Sequence, residues 1–137
     1  SIQIRFGGIY GPGREALLRR VMSGRACQAE PALYTNRIHE DDCVGILEYL
    51  GVLRDPETVY IGVDSLPSSQ CEVMDWIADQ MGVGRPPRQK AETANSAKRC
   101  SNQRLISSGY RLRFPDYRAG YRALLTDSRR GVDSTGS

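Results

Sequence analysis

The residues best suited to chemistry lie in one short run, Arg5-Phe6-Gly7-Gly8-Ile9-Tyr10-Gly11-Pro12-Gly13-Arg14, which holds four glycines and a proline. Glycine lets the main chain come close to a ligand and take positive φ, and Pro12 fixes a turn without needing an amide hydrogen. A loop of this composition binds through its backbone. Two further groups of side chains could act with it. In the first, Arg37, His39 and Asp42 stand close together; His39 reads better as a packed histidine bonding a neighbouring loop than as a base, and Asp42 as a helix cap. In the second, Lys98 and Arg99, flanked by Ser96 and Ser101, could close over an anion. A guanidinium takes phosphate or carboxylate in a two-pronged fork.

Several chemistries are excluded. Cys27, Cys43, Cys71 and Cys100 lie far apart without a Cys-x-x-Cys, and the chain has a single histidine, so no zinc site is recognisable and no metal is expected. Cys43 and Cys71 fall in apolar-periodic segments, where cysteine acts as a small buried hydrophobe. A net charge of +3, carried by Arg with Lys only at Lys90 and Lys98, is too weak to imply nucleic acid. No apolar run is long enough for a bilayer, and a reducing cytoplasm is the expected compartment.

The elements that must position these groups follow from pattern. Ile2-Gln3-Ile4 feeds the glycine run as a strand, and Glu15 to Met22 opens from it as an amphipathic helix. Strand, tight loop, helix is how open α/β sheets present ligands at strand C-terminal ends. Ser23 to Ala32 should cross the surface. A short strand, Thr35 to His39, precedes a helix capped by Asp41 or Asp42 and running to about Leu53. Thr58 to Val63 is the strongest strand signal. Pro67-Ser68-Ser69 opens a helix with Val73, Trp76, Ile77 and Met81 at helical spacing, stopped by Gly82. Gly84 to Ala97 reads as a mobile loop, Asn102 to Ser108 as a short helix, Tyr110 to Phe114 as a strand, and Tyr117 to Leu125 as a final helix. Residues 127–137 read as a disordered tail after a domain of residues 2–126. At 137 residues and 39% apolar content, the chain reads as half a domain whose partner would complete the core, or as a small independent α/β domain.

Four stretches in order resemble the NAD(P)-dependent epimerase/dehydratase family, the extended and atypical short-chain dehydrogenase/reductases. They are the glycine run, Asn36-Arg37-Ile38-His39-Glu40-Asp41-Asp42, Thr58 to Asp64 with Pro67-Ser68-Ser69, and Lys98-Arg99-Cys100-Ser101-Asn102 with Gly109-Tyr110 and Pro115-Asp116-Tyr117. The resemblance covers about residues 2–125 and is to the family's C-terminal half. It implies an α/β fold: the C-terminal part of a Rossmann-type parallel sheet plus a small, mainly helical substrate domain. It also implies NAD or NADP in the complete protein, with the backbone of Phe6, Gly7, Gly8 and Ile9 facing the nicotinamide. Tyr10, Arg14, Lys98 and Arg99 would face a small anionic substrate, sugar- or nucleotide-like, though Gly8 stands where classic epimerases often carry Asn. A homodimer is compatible with the family.

The family's proton donor is a Tyr in Tyr-x-x-x-Lys. No Tyr of this chain has Lys four residues on, and there is no Gly-x-x-Gly-x-x-Gly fingerprint, so no catalytic residue is expected here. The alternatives are a non-catalytic NAD(P)-sensing or protein-binding member, and an independent domain whose likeness is accidental.

Overall fold

A computed structural model describes residues 2–53, 59–91 and 99–135, with side chains of the last helix through Thr126. In chain order the elements are β1 (Gln3–Phe6), β2 (Gly8–Tyr10), α1 (Ala16–Met22), β3 (Cys27–Glu30), β4 (Tyr34–Thr35), β5 (Arg37–His39) and α2 (Glu40–Gly51). They continue with β6 (Val59–Gly62), β7 (Ser68–Ser69), α3 (Gln70–Met81), β8 (Arg88–Lys90), α4 (Gln103–Ser107) and α5 (Tyr117–Thr135). The strands pair two by two: β1 with β6, β2 with β5 and β3 with β8 in parallel, β4 with β7 antiparallel. The fold is α/β with parallel pairing, as the sequence implies. No helix among the described residues is long and apolar enough to cross a membrane.

The extended run from β1 to β2 changes partner at Gly7. Its amide donates to the Gly62 carbonyl at 3.2 Å, and the next amide, of Gly8, donates to the Asn36 carbonyl at 2.9 Å. A side chain at position 7 has no room, because its Cβ would sit 2.6 Å from the Asn36 oxygen. One strand edge therefore hands over from β6 to β5 at the carboxyl end of β1, where open α/β sheets form a crevice.

Two apolar clusters hold the frame. One joins β1, β5, β6, α2 and α4 through Ile38, Ile46, Leu50, Tyr60 and Leu105. The other joins α1, β3, α3 and α5 through Leu18, Val21, Val73, Met74, Ile77, Tyr121 and Leu124. Helix α3 follows its sequence signals. The Ser69 hydroxyl accepts from the Glu72 amide at 3.2 Å, Val73 and Ile77 are fully buried one turn apart, and Gly82 ends the helix at φ 70°. Each such buried side chain contributes about 1.5–3 kcal/mol.

Five readings change. Helix α2 is capped by His39, whose Nδ1 accepts from the Asp41 amide at 3.1 Å, and neither Asp41 nor Asp42 is its cap. Residues 110–114 form no strand, because the Arg113 and Phe114 amides are drawn to Asp42 at 2.8 and 2.9 Å and Pro115 follows. The expected surface crossing contains β3, which pairs with β8 inside the expected loop of 84–97, of which residues 92–98 lie outside the described residues. Cys71 is a disulfide partner rather than a free buried thiol: the first turn of α3 brings its Cα within 5.2 Å of that of Cys27 on β3. Cys43 is a buried free cysteine, its thiol pushed up to about 11 by burial. The last helix extends to Thr135, past its expected end at Leu125.

Candidate functional site

A cleft of about 700 Å³ opens beside the handover point and is lined by Phe6, Gly7, Gly8 and Ile9 from the β1–β2 run. Its other walls include Leu17 of α1, Tyr34 and Thr35 of β4, Arg37 of β5, and Ile61 and Val63. Gly8 is exposed, and a Cβ there would meet only the Asn36 oxygen, at 3.6 Å. Backbone is thus presented openly to the cleft at that residue.

Past β2, Gly11 and Arg14 exchange backbone bonds across the Pro12-Gly13 turn, with Arg14 N–H to Gly11 O at 2.9 Å. Gly13 takes φ 85°, a conformation that L side chains rarely adopt. The turn leaves the Arg14 side chain exposed at the cleft. Tyr10 lines the cleft too, but only 4% of it is exposed, and its ring stacks on Tyr121 at 4.5 Å. The Tyr10 hydroxyl lies against Gly120, and burial, with Asp64 adding to it, raises its pKa well above the ordinary phenol value.

Arg99 is exposed and sits over the Tyr34 ring, 4.0 Å from its centre, so the guanidinium is held at the cleft wall by a cation–π contact. The following amide, of Cys100, donates to Asn36 Oδ1 at 2.8 Å, and Asn102 Nδ2 reaches the Val63 carbonyl at 3.0 Å. These bonds tie the segment to the strand ends. Lys98 lies outside the described residues. Of the expected site residues, the cleft therefore gathers Phe6, Gly7, Gly8, Ile9, Tyr10 and Arg14, with Arg99 beside it on Tyr34.

The Arg37-His39-Asp42 constellation divides into separate tasks. His39 is buried, stacked on Phe114 at 4.0 Å, and its pKa is lowered by burial, with Asp41 pulling the other way. Asp42 is fully buried and accepts from the Tyr110 hydroxyl at 2.8 Å as well as from the two amides named above. Its neighbour Tyr110 has its pKa raised by burial and by that bond. Both residues serve the frame. Arg37 is different, since it lines the cleft although only 5% of it is exposed. Asp64 closes the Thr58-to-Asp64 stretch, but the pattern assigned it no role; it is 2% exposed just after β6, its amide donates to the Arg37 carbonyl, and burial pushes its carboxyl up to about 6.

No protein-family model and no curated protein matches the chain. Solved structures do. A protein designated an NAD-dependent epimerase/dehydratase from Methylobacillus flagellatus is 37% identical with a TM-score of 0.78, the match covering 94% of this chain and 48% of that one. A functionally unknown conserved protein from Silicibacter pomeroyi is 30% identical with a TM-score of 0.79, over 90% of this chain and 48% of its own. A human epimerase family protein solved with NADPH shares the fold at 17% identity and a TM-score of 0.74, over 88% and 46%. The chain spans about half the length of each of these proteins. In fold and in sequence, the chain resembles the C-terminal half of the NAD(P)-dependent epimerase/dehydratase family.

Proposed function

We propose that this chain is the substrate-side half of an NAD(P)-dependent oxidoreductase or epimerase, and that the cleft beside Gly8 receives the nicotinamide end of the cofactor. The observation that carries the reading is the exposed glycine backbone at a strand handover point, next to a 700 Å³ cleft with apolar walls. A flat ring needs that combination, a close main chain with hydrogen-bonding groups and side chains that keep water out. The cofactor, when bound, supplies the hydride. Phe6, Gly7, Gly8 and Ile9 orient its ring, while Arg14 and Arg99, joined by Lys98, hold an anionic, sugar- or nucleotide-like substrate. Tyr10, expected at the substrate, lines the cleft but is buried and stacked on Tyr121, so it would support the wall more than bind. The proton donor would come from the other half of the protein, because no Tyr here has its Lys.

A cytoplasmic setting goes with this reading, and the Cys27–Cys71 bridge is the observation that stands against it, since disulfides are rare in a reducing compartment. Homodimerisation and the choice between NAD and NADP would rest with the other half. The isolated chain should show no measurable NAD(P)H binding, since the sites for the rest of the dinucleotide are not in it. The test is made on the full-length protein: Arg14→Ala and Arg99→Ala should each raise KM about ten- to a hundredfold, the worth of a charge-assisted bond of about 1.5–3 kcal/mol. Turnover indifferent to both substitutions would overturn the substrate assignment. A full-length protein that binds NAD(P)H without turnover would favour the non-catalytic sensing alternative.

A further inference from the structure

Two buried charged groups, Arg37 on the cleft wall and Asp64 behind it, remain incompletely bonded. Arg37 donates through Nη2 to the Thr35 hydroxyl and has its guanidinium 5.8 Å from the centre of the Tyr117 ring, while Nη1 has no hydrogen-bond partner among the described residues. Asp64 accepts from the Leu66 amide through Oδ1 at 3.1 Å, while Oδ2 is likewise without a partner. The two belong to adjacent chain segments, since the Asp64 amide donates to the Arg37 carbonyl at 2.7 Å, and their charges act on one another. No Arg37–Asp64 salt bridge within 4.0 Å occurs among the described residues.

An unpaired buried guanidinium N–H costs about 1–3 kcal/mol unless something accepts from it. Arg37 lines the cleft while Nη1 itself is closed off, so a small turn of the guanidinium would offer Nη1 to an acceptor on a ligand there. The acceptor's charge is decided by its surroundings. Asp64 lies beside Arg37, and Asp42 and Asp116 act on the same region. A phosphate or carboxylate brought to Nη1 would add a further negative charge to that low-dielectric site, where like charges repel strongly. A hydroxyl or carbonyl oxygen would complete the guanidinium without that penalty. We propose that Arg37 anchors a neutral oxygen of the ligand, and that Asp64 is a positioning residue which excludes anionic groups from this end of the cleft. The inference rests on the reading of the cleft as a ligand site. It separates a neutral inner contact from the anion-binding role proposed for Arg14 and Arg99.

The experiment is an NMR titration of the full-length protein, following the Gly8 and Ile9 amides and the Arg37 side-chain Nε–H. The probes are glucose and inorganic phosphate at millimolar concentration. Glucose should move the Gly8 and Arg37 signals, and phosphate should leave Arg37 unmoved. Arg37→Gln should weaken the glucose response about tenfold, as expected for loss of a charge-assisted bond. Asp64→Asn keeps the shape and the oxygen that accepts from Leu66, so phosphate should now titrate Arg37 at least about tenfold more tightly than in the parent protein. Glucose that moves Gly8 equally well with Arg37→Gln, or phosphate that reaches Arg37 equally in parent and Asp64→Asn proteins, would overturn the assignment alone. A cleft in which neither probe moves Gly8 would overturn the ligand-site reading beneath it. Should Arg37→Gln fail to fold, the Asp64→Asn comparison decides.

Discussion

Replacing Gly7 and Gly8 with alanine, one at a time, should separate two roles within the same run. At Gly7 the new methyl would lie 2.6 Å from the Asn36 oxygen, 2.8 Å from the Asn36 carbonyl carbon and 2.9 Å from Val63 Cγ1. Two of those atoms are backbone, so the β1–β2 strand and the start of β5 must separate, and the Gly8-to-Asn36 bond of 2.9 Å is strained with them. Overpacking of this kind costs about 1–3 kcal/mol, which lowers the melting temperature by about 3–5 °C per kcal/mol in a domain of this size. At Gly8 the methyl meets a single atom at 3.6 Å, an ordinary contact, and stability should change by under about 0.5 kcal/mol. That methyl stands in open space where the cofactor ring would approach, and excluding the ring from contact should weaken cofactor binding by about tenfold or more. The assays are thermal melting and NAD(P)H fluorescence titration of the full-length protein. Gly7→Ala melting like the parent would refute the steric account of the handover. Gly8→Ala binding NAD(P)H as tightly as the parent would refute the cofactor's place in the cleft.

Three further outcomes follow from the buried groups. Asp64 is held up to about 6 against an ordinary 3.8, so the folded chain keeps a proton that the unfolded chain loses, and this group's contribution to stability falls as pH rises from about 4 through 6; in urea unfolding, Asp64→Asn should therefore gain on the parent at pH 7 relative to pH 4.5, and a pH-independent difference would contradict it. Gly120→Ala would drive a methyl into the Tyr10 hydroxyl and break its stack on Tyr121, so the chain should lose about 2 kcal/mol or more, seen as a lower melting temperature. The Cys27–Cys71 bridge spans 44 residues, which in the chain-entropy account is worth about 4 kcal/mol; reductant should destabilise the parent by that order and leave a Cys27→Ser, Cys71→Ser protein unchanged, whereas identical melts of the parent with and without reductant would show that the bridge does not form.

What the sequence disclosed and what it concealed divide along the range of the interactions. Helix α3 was legible because its cap, apolar spacing and stop are all local: Ser69, Val73, Ile77 and Gly82 lie within one segment. The glycine run was legible for the same reason, its composition announcing a close backbone. Strands β3 and β8 were concealed, since neither has an apolar alternation; each is specified by the other across 60 to 61 positions, Cys27 with Arg88 and Glu30 with Lys90. The cap of α2 was misplaced by local reasoning. Asp42 has the side chain of a cap, but Tyr110, Arg113 and Phe114 compete for it from about 70 residues away, and once it is buried among them His39 is left to accept from the helix. The same logic bears on the cleft. Gly8 marks where a ligand could come close, whereas in the proposed site the charge it could carry beside Arg37 would depend on Asp64, brought there by the strand pairing. The Asn36-to-Asp42 and Thr58-to-Asp64 stretches hold Arg37 and Asp64 separately, and neither spells out that the two meet, which the Asp64 amide bond to the Arg37 carbonyl brings about.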